Sequence, residues 1–421
     1  MQHPIETNQS RRNFWLGVLN GTFYITGETL MEPTLVLASF VSRLTDSPLW
    51  IGMIVPLRDG SWFLPQLWVS SFLQSEPRKL PYYRNMALVR ALPWLAMTLV
   101  VLTVRDPLWM MIIFFACFSV TAIAAGLSGL PFLEVISKTI PPERRGEFFA
   151  LRLATGGLAG VGASFFVRWM LDEKNIYTFP ANFGVLFGTA LALACASWLV
   201  FAWIVEPGDQ NVKPPVSLID QLRRAIQIIK NDPRYRRFIY LRSSLIVGGA
   251  ATPFFAVYVQ RTLDGSLSMI GVYLAVYVIT NLVTNFALAR ISGKIGYQRV
   301  TEIAALAGLT MTLVVLILIL IASPLNLRGT IPSLWLIPVF ILSGIRESSQ
   351  GVAGQSLLLE IAPLSERTLY LGFTNTLLGI ILLTTGLSGI IVQTFGLLTL
   401  LIIAILAHIL ALVSSARMRK A

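Results

Sequence analysis

The stretch EPGDQNVKPPVSLIDQLRRAIQIIKNDPRYRR, Glu206 to Arg237, is the longest polar interruption in an otherwise apolar chain. Six apolar runs precede it, at approximately 13–41, 48–73, 85–104, 107–136, 148–171 and 181–205. Six more follow, at approximately 238–260, 267–289, 300–322, 333–360, 369–393 and 395–414. A membrane-crossing helix needs roughly 20 mostly apolar residues, and runs of this length are too long for barrel strands. The expected fold class is therefore an all-α polytopic membrane protein with twelve transmembrane helices. Its expected parts are a first six-helix half (1–205), a linker (206–237) and a second half (238–421). Within the linker, Leu218, Leu222, Ala225, Ile226 and Ile229 recur at helical spacing, with Arg223, Arg224 and Lys230 on other faces. This predicts an amphipathic helix at the cytoplasmic headgroups, or a partner-binding linker.

Composition agrees: 55% of the 421 residues are hydrophobic and 13% charged, against about 25% charged in a soluble domain. A formal charge of +12 would suggest nucleic acid in a soluble protein. Here the cations report orientation instead. With the N-terminus inside, the outer segments hold only Arg43, Arg105, Lys174, Arg261 and Arg328, and six arginines lie within runs. The remaining twenty-two Lys and Arg fall on the inside, which predicts N-in/C-in topology without nucleic acid. The polar start of the chain reads as an uncleaved cytoplasmic tail. Cys117 and Cys195 sit inside apolar runs and read as packing residues. His3 lies in the tail and His408 in the last run, where it reads as a peripheral packing residue.

The halves resemble each other. SPLWIG (Ser47–Gly52) opens the second run and SLSMIG (Ser266–Gly271) the eighth; IPPERRG (Ile140–Gly146) follows the fourth and APLSERT (Ala362–Thr368) the tenth; Pro33 matches Pro253. The three offsets agree to within three residues, which predicts two parallel six-helix repeats.

With these features the chain resembles the major facilitator superfamily of secondary transporters. IPPERRGEFFALRLATGGLAGVGAS (Ile140–Ser164) is similar to the superfamily's Pro-x-x-x-Arg-Gly turn and glycine-rich fifth helix. ARISGKIGYQRV (Ala289–Val300) is similar to the glycine-and-basic loop between the second and third helices of a half. There Gly293 and Gly296 suit a tight turn, and Lys294 and Arg299 suit helix C-termini. In the first half the corresponding SSFLQSEPRKLPYYRNMALVR (Ser70–Arg90) has the basic charge but neither the glycines nor the usual aspartate. Arg144, Arg145, Gly146, Gly293, Lys294, Gly296, Arg299 and Arg367 are thus candidate cytoplasmic gating-loop residues.

Charges inside a bilayer are costly and are functional hypotheses by default. Glu28 and Glu32 stand one turn apart in GETLMEPTLVL (Gly27–Leu37); Arg58 and Asp59 lie near the centre of the second run, and Arg346 and Glu347 near that of the tenth. The resemblance implies that these groups surround one aqueous chamber. Glu28, Glu32, Asp59 and Glu347 are the proton-coupling candidates, Glu28 and Asp59 foremost. Arg58 and Arg346 are candidates for holding an anionic substrate. A network of ion pairs that only holds the helices in register is the competing reading. Tyr273, Tyr277, Asn281 and Asn285 form a polar stripe that either contacts substrate or hydrogen-bonds neighbouring helices. Arg90, Arg152, Arg168 and Arg242 are expected to snorkel from membrane ends, and Glu134 to pair with Lys138.

No metal triad, nucleotide loop or hydrolase motif is present in the sequence, so neither an enzyme nor a cofactor is expected. The expected function is proton-coupled movement of a small solute by alternating access, in the cytoplasmic (inner) membrane of a bacterium. The expected partners are a small-molecule substrate, H+ and the lipid bilayer, with the protein acting as a monomer. A multidrug or amphiphile exporter and a lysolipid flippase are the alternatives on the same scaffold.

Overall fold

The structure, a computed structural model, describes residues 8–209, 217–322, 324–363 and 366–419. His3, Lys213 and Lys420, counted above among the tail and inside residues, lie outside the described residues. The described elements are all helical, and the α-helices begin with α1 Asn8–Leu30, α2 Ala38–Leu44, α3 Pro48–Val55, α4 Ser61–Phe63, α5 Gln66–Leu73, α6 Leu80–Thr103, α7 Pro107–Thr139, α8 Arg145–Met170 and α9 Ala181–Ala202. There follow α10 Leu218–Asn231, α11 Pro233–Gly249, α12 Thr252–Thr262, α13 Met269–Ile295, α14 Tyr297–Ala322, α15 Thr330–Ile361, α16 Arg367–Thr384, α17 Ser388–Phe395 and α18 Leu397–Arg419. Local sequence sets several starts. Asp106 accepts from the backbone N–H groups of Leu108 and Trp109 before Pro107 opens α7, and Asp232 does the same for Arg234 and Tyr235 before Pro233 opens α11. An acidic N-cap followed by proline satisfies orphan donors and presets φ.

Among the described residues, ten helical stretches are long and apolar enough to cross a membrane. The first two runs of the sequence are helical but broken. A π-helical turn, Pro33–Leu37, separates α1 from α2, and another, Pro56–Gly60, separates α3 from α4. Pro33 cannot donate a backbone hydrogen bond, which stops α1 just before it. Pro253 has the same effect in the second set, where the chain breaks at Ala250 and Ala251 between α11 and α12. Insertions of this kind are concentrated at functional sites.

α1 packs against α8 and α9, and α6 against α7 and α9; in the later set α14 packs against α15 and α18, and α11 against α18. The two sets meet along α8 with α13, α3 with α17, and the Pro56–Gly60 turn with α16. These contacts follow the internal repeat. A Cβ on Gly126 of α7 would meet the backbone of Ser61 and Trp62, and one on Gly344 of α15 would meet Tyr277, Asn281 and Thr280 in the equivalent place. Gly157 of α8 lies on Leu282 of α13, and Gly379 of α16 on Phe63 and Leu64. Arg145 donates to the carbonyl of Ser137, and its counterpart Arg367 donates to that of Leu359, each eight residues back at the end of a long helix. Gly156, Gly157 and Gly160 of the fifth run thus serve close packing, as expected, while Gly162 meets nothing within 4 Å.

Both described ends of the chain lie at one end of the bundle. Asn13 exchanges hydrogen bonds with Val205, and Arg237 donates to the carbonyl of Arg417. At this end Glu206 accepts from the backbone N–H groups of Lys79 and Leu80 at 2.7–2.9 Å and from Lys138 Nζ at 3.0 Å. Asp209 is bridged by the same two lysines. Partial burial opposes the Asp209 charge, but the hydrogen bonds from Lys138 and Lys79 outweigh it and hold the carboxyl below its ordinary range. Lys138 therefore pairs with Glu206 and Asp209; the expected Glu134 partner is exposed.

The opposite end is pinched shut. Gly52 and Gly389 meet backbone to backbone, and the Arg261 guanidinium donates to the carbonyls of Ser42 and Thr45 beside Asp46.

α10 forms as predicted, but Leu218, Leu222, Ile228 and Ile229 pack against a cluster containing Tyr235, Tyr370 and Phe373, so its apolar face covers the bundle while Ile219 and Ile226 are exposed. Lys294 lies in the last turn of α13, as expected of a cation at a helix C-terminus, but Gly293 is helical in that same turn and Arg299 belongs to the first turn of α14. Only Gly296, at φ 83°, makes the turn, because a positive φ is easy for glycine alone. Arg144 pairs with Glu147 and lies over the Phe14 ring at 4.2 Å, while Gly146 opens into space within 4 Å.

Candidate functional site

The centre of the first set is built on the two π turns. Glu28 sits in the last full turn of α1, and the Pro56–Gly60 turn presents Arg58 to it. The Arg58 guanidinium forms an ion pair with the Glu28 carboxylate, and its other nitrogen lies 3.5 Å from Asp59 Oδ1. One cation is thus shared by two carboxylates.

Glu32 departs from expectation. α1 ends at Leu30, so Glu32 no longer stands on the Glu28 face; its carboxylate accepts from Thr34 Oγ1 at 2.7 Å and from the backbone N–H of Leu35 at 2.6 Å. It caps the start of the Pro33–Leu37 turn, and Arg58, not Glu32, partners Glu28. Arg58 is accordingly engaged in an ion pair where it lines the cavities described next.

Two cavities adjoin this cluster. A smaller one of about 170 Å³ lies within the first set, lined by Tyr24, Glu28, Arg58, Asp59, Arg90 and Thr121 among others. A larger one of about 450 Å³ lies between the sets. Glu32, Arg58 and Asp59 line it from one side, and Arg242, Tyr277, Arg346 and Glu347 from the other. It extends to Phe238 and Leu358, toward the end that carries the termini. Ligand sites typically occupy about 300–1,000 Å³, so this cavity has room for a small solute. Asn281 lines a third cavity, of about 250 Å³, together with Glu28, Glu32 and Tyr277.

The remaining stripe residues are elsewhere. Tyr273 is buried, donates its hydroxyl to the Ser333 carbonyl at 2.7 Å and stacks on Phe340 at 5.0 Å, so it ties α13 to α15. Asn285 donates to Asn281 on its own helix. Tyr273 thus holds two helices together, while the hydrogen bonds of Asn285 stay within α13.

Several charges assigned to membrane ends are held inside the bundle instead. Arg90 is 5% exposed and lies 4.9 Å from the Trp198 ring. Arg152 donates to Gly17 and Asn20 and lies over Phe132. Arg242 lines the large cavity. Arg168 is exposed, as expected. α6, α8 and α11 begin at Leu80, Arg145 and Pro233, before the apolar runs start, so Arg90, Arg152 and Arg242 each lie at least a full helical turn into their helices, beside packed neighbours. Tyr24 was not singled out because an aromatic residue in an apolar run gives no signal until Glu28 and Arg58 are seen beside it. His408 is fully buried and not peripheral; side chains at Gly248 or Gly308 would overlap its ring.

The family model of the Major Facilitator Superfamily matches residues 82–376. No protein of curated function matches the chain by sequence. Among solved structures, a point mutant of the nucleoside transporter NupG superposes with TM-score 0.71 at 12% identity, covering 98% of this chain and 100% of that one. A POT family transporter in complex with a thioalcohol-conjugated peptide gives 0.69 at 11% identity, covering 98% and 95%. A D-xylose-proton symporter gives 0.66 at 14% identity, covering 98% and 96%. At such identities the likeness is one of fold. The sequence match and the fold agree that this chain is a multi-pass integral membrane transporter, not an enzyme, and that it belongs to the major facilitator superfamily.

Proposed function

We propose that the protein is a proton-coupled secondary transporter of a small solute, working by alternating access between two six-helix halves, 1–205 and 238–421, joined by the segment 206–237. The observation that carries this reading is the Glu28–Arg58–Asp59 cluster, which touches both the small cavity inside the first set and the large cavity between the sets. A proton placed on one carboxylate releases Arg58 toward the other, which moves a guanidinium at the wall of the large cavity. Proton occupancy and cavity shape are thereby linked through one side chain. The D-xylose-proton symporter among the structural neighbours is consistent with this coupling.

Twelve spans follow when the broken stretches 8–44 and 48–73 are counted as crossings, and the basic residues at the termini end make that end cytoplasmic. The pinched far end and the cavity that runs toward the termini then describe an inward-facing state. We assign the protein to a bacterial inner membrane, acting as a monomer. Glu28 and Asp59 are the proton sites. Glu347 faces the same cavity as Asp59 and is a secondary acid. Arg144, Arg145 and Arg367 hold the helix ends that the halves rock upon.

The test is accumulation in proteoliposomes under an imposed pH gradient, using a panel of sugars, nucleosides, amino acids, peptides and organic anions, with cationic drugs and a fluorescent lysolipid as exporter and flippase controls. Accumulation of a soluble solute that collapses with a protonophore is expected. Movement of the lysolipid alone, or solute uptake indifferent to the protonophore, rules the reading out.

A further inference from the structure

We infer that the second-half wall of the large cavity is a seat for an oxyanion, a carboxylate or phosphate carried by the transported solute. This rests on the transport reading and specifies its substrate class. Two guanidiniums face the cavity from different helices, Arg242 of α11 and Arg346 of α15. Each is seated on a glycine of the other helix. A Cβ on Gly249 of α11 would overlap the Arg346 guanidinium, and one on Gly354 of α15 would come within 2.9 Å of Arg242 Nη1. The reciprocal glycines leave room for a planar group at each of two seats along this wall, Gly249 lying seven residues beyond Arg242 on α11 and Gly354 eight beyond Arg346 on α15, and a larger residue at either would push its guanidinium away.

Neither guanidinium is used up by the protein. Arg346 is 9% exposed and spends one N–H on the Leu245 carbonyl at 3.0 Å. Its Nε is buried with no hydrogen-bond partner among the described residues, and the same holds for Arg242 Nη1. Arg58, the third arginine at this cavity, is engaged by Glu28. Of the acids around the cavity, Glu32 is occupied by Thr34 and Leu35, and Asp59 lies beside Arg58 on the opposite wall. On the α11–α15 side two cations thus stand with one acid, Glu347. Guanidiniums bind carboxylates and phosphates through parallel N–H donors, so an oxyanion in the cavity meets two cations that line it and whose donors the protein leaves largely unengaged. Glu347 makes the seat better suited to one anionic group than to two.

Purified protein in detergent tests this by thermal stabilisation with matched pairs: succinate against succinamide, glycerol 3-phosphate against glycerol, and an amino acid against its amide. Inorganic phosphate and lysophosphatidate are added to separate a free oxyanion, or one on a soluble solute, from a lipid headgroup. At least one charged member is expected to stabilise the protein where its neutral partner does not. Arg242→Gln and Arg346→Gln are each expected to weaken that effect by about tenfold or more, since a hydrogen bond to a charged group is lost. Gly354→Ala, which keeps both charges and meets only the flexible end of Arg242, is expected to weaken it too and guards against misfolded arginine variants. Equal stabilisation by neutral partners, stabilisation by no charged member, or an effect untouched by all three variants overturns the seat. Anion stabilisation without any pH-driven uptake keeps the seat and removes the transport reading. Uptake of uncharged solutes alone does the reverse.

Discussion

Arg58→Gln is expected to damage the protein more than the loss of either carboxylate, and adding Glu28→Gln is expected to restore part of what is lost. The reason is arithmetic of charge. Wild type shares one guanidinium between Glu28 and Asp59; removing it leaves two acids near each other without a cation between them in a partly buried site. Breaking a buried ion pair costs about 3–5 kcal/mol. The side chains of Arg58 and Glu28 are 33% and 21% exposed, which reduces the expected cost to about 1–3 kcal/mol after solvent screening. A double-mutant cycle on thermal or denaturant stability should therefore give a coupling energy of about 1–3 kcal/mol between positions 58 and 28. Additive effects would mean that the contact contributes nothing beyond its parts.

The second large effect is expected at the pinched end. Gly52→Val places a side chain where Gly389 backbone atoms lie 2.6–2.9 Å from the new Cβ, with no flexible group to yield. Overpacking a tight contact costs about 1–3 kcal/mol, and the cost falls only on the state in which this end is closed. A penalty near 3 kcal/mol shifts the balance between the two states by roughly a hundredfold, since every 1.4 kcal/mol is about tenfold. The check is a single cysteine at Gln350, which lines the large cavity, in a chain with Cys117 and Cys195 replaced by alanine. Its alkylation by an impermeant maleimide added at the far side should rise steeply with Gly52→Val and transport should fail. Unchanged labelling and transport would mean that the Gly52–Gly389 contact is not part of the cycle.

Much of this was legible in the sequence because it was written in composition and spacing. The apolar runs, the helical linker and the internal repeat rest on run lengths and on paired motifs. The Arg145–Ser137 and Arg367–Leu359 contacts bear out the pairing of IPPERRG with APLSERT. Pro33 and Pro253 announced the breaks at which the two sets are interrupted. Pairings were harder to read. The acids of GETLMEPTLVL look like neighbours on an ideal helix, yet the chain leaves helical geometry at Glu32, whose side chain satisfies donors freed by the break it sits in. Surroundings were harder still: an apolar run marks where charges stop, not which helix lies opposite, so Arg90, Arg152 and Arg242, expected to snorkel outward, are instead held inside the bundle. The seats provided by Gly249 and Gly354 depend on which helix lies opposite, which no local pattern encodes.

Proton coupling at the centre of the first half can be read from solute-driven proton movement. Proteoliposomes loaded with a pH dye and given a gradient of the transported solute, with no pH gradient imposed, should show a pH change in wild type. Glu28→Gln and Asp59→Asn should each abolish that change while isotope exchange of the solute across the membrane persists. Full solute-driven proton movement in both variants is incompatible with the Glu28–Arg58–Asp59 cluster being the coupling site.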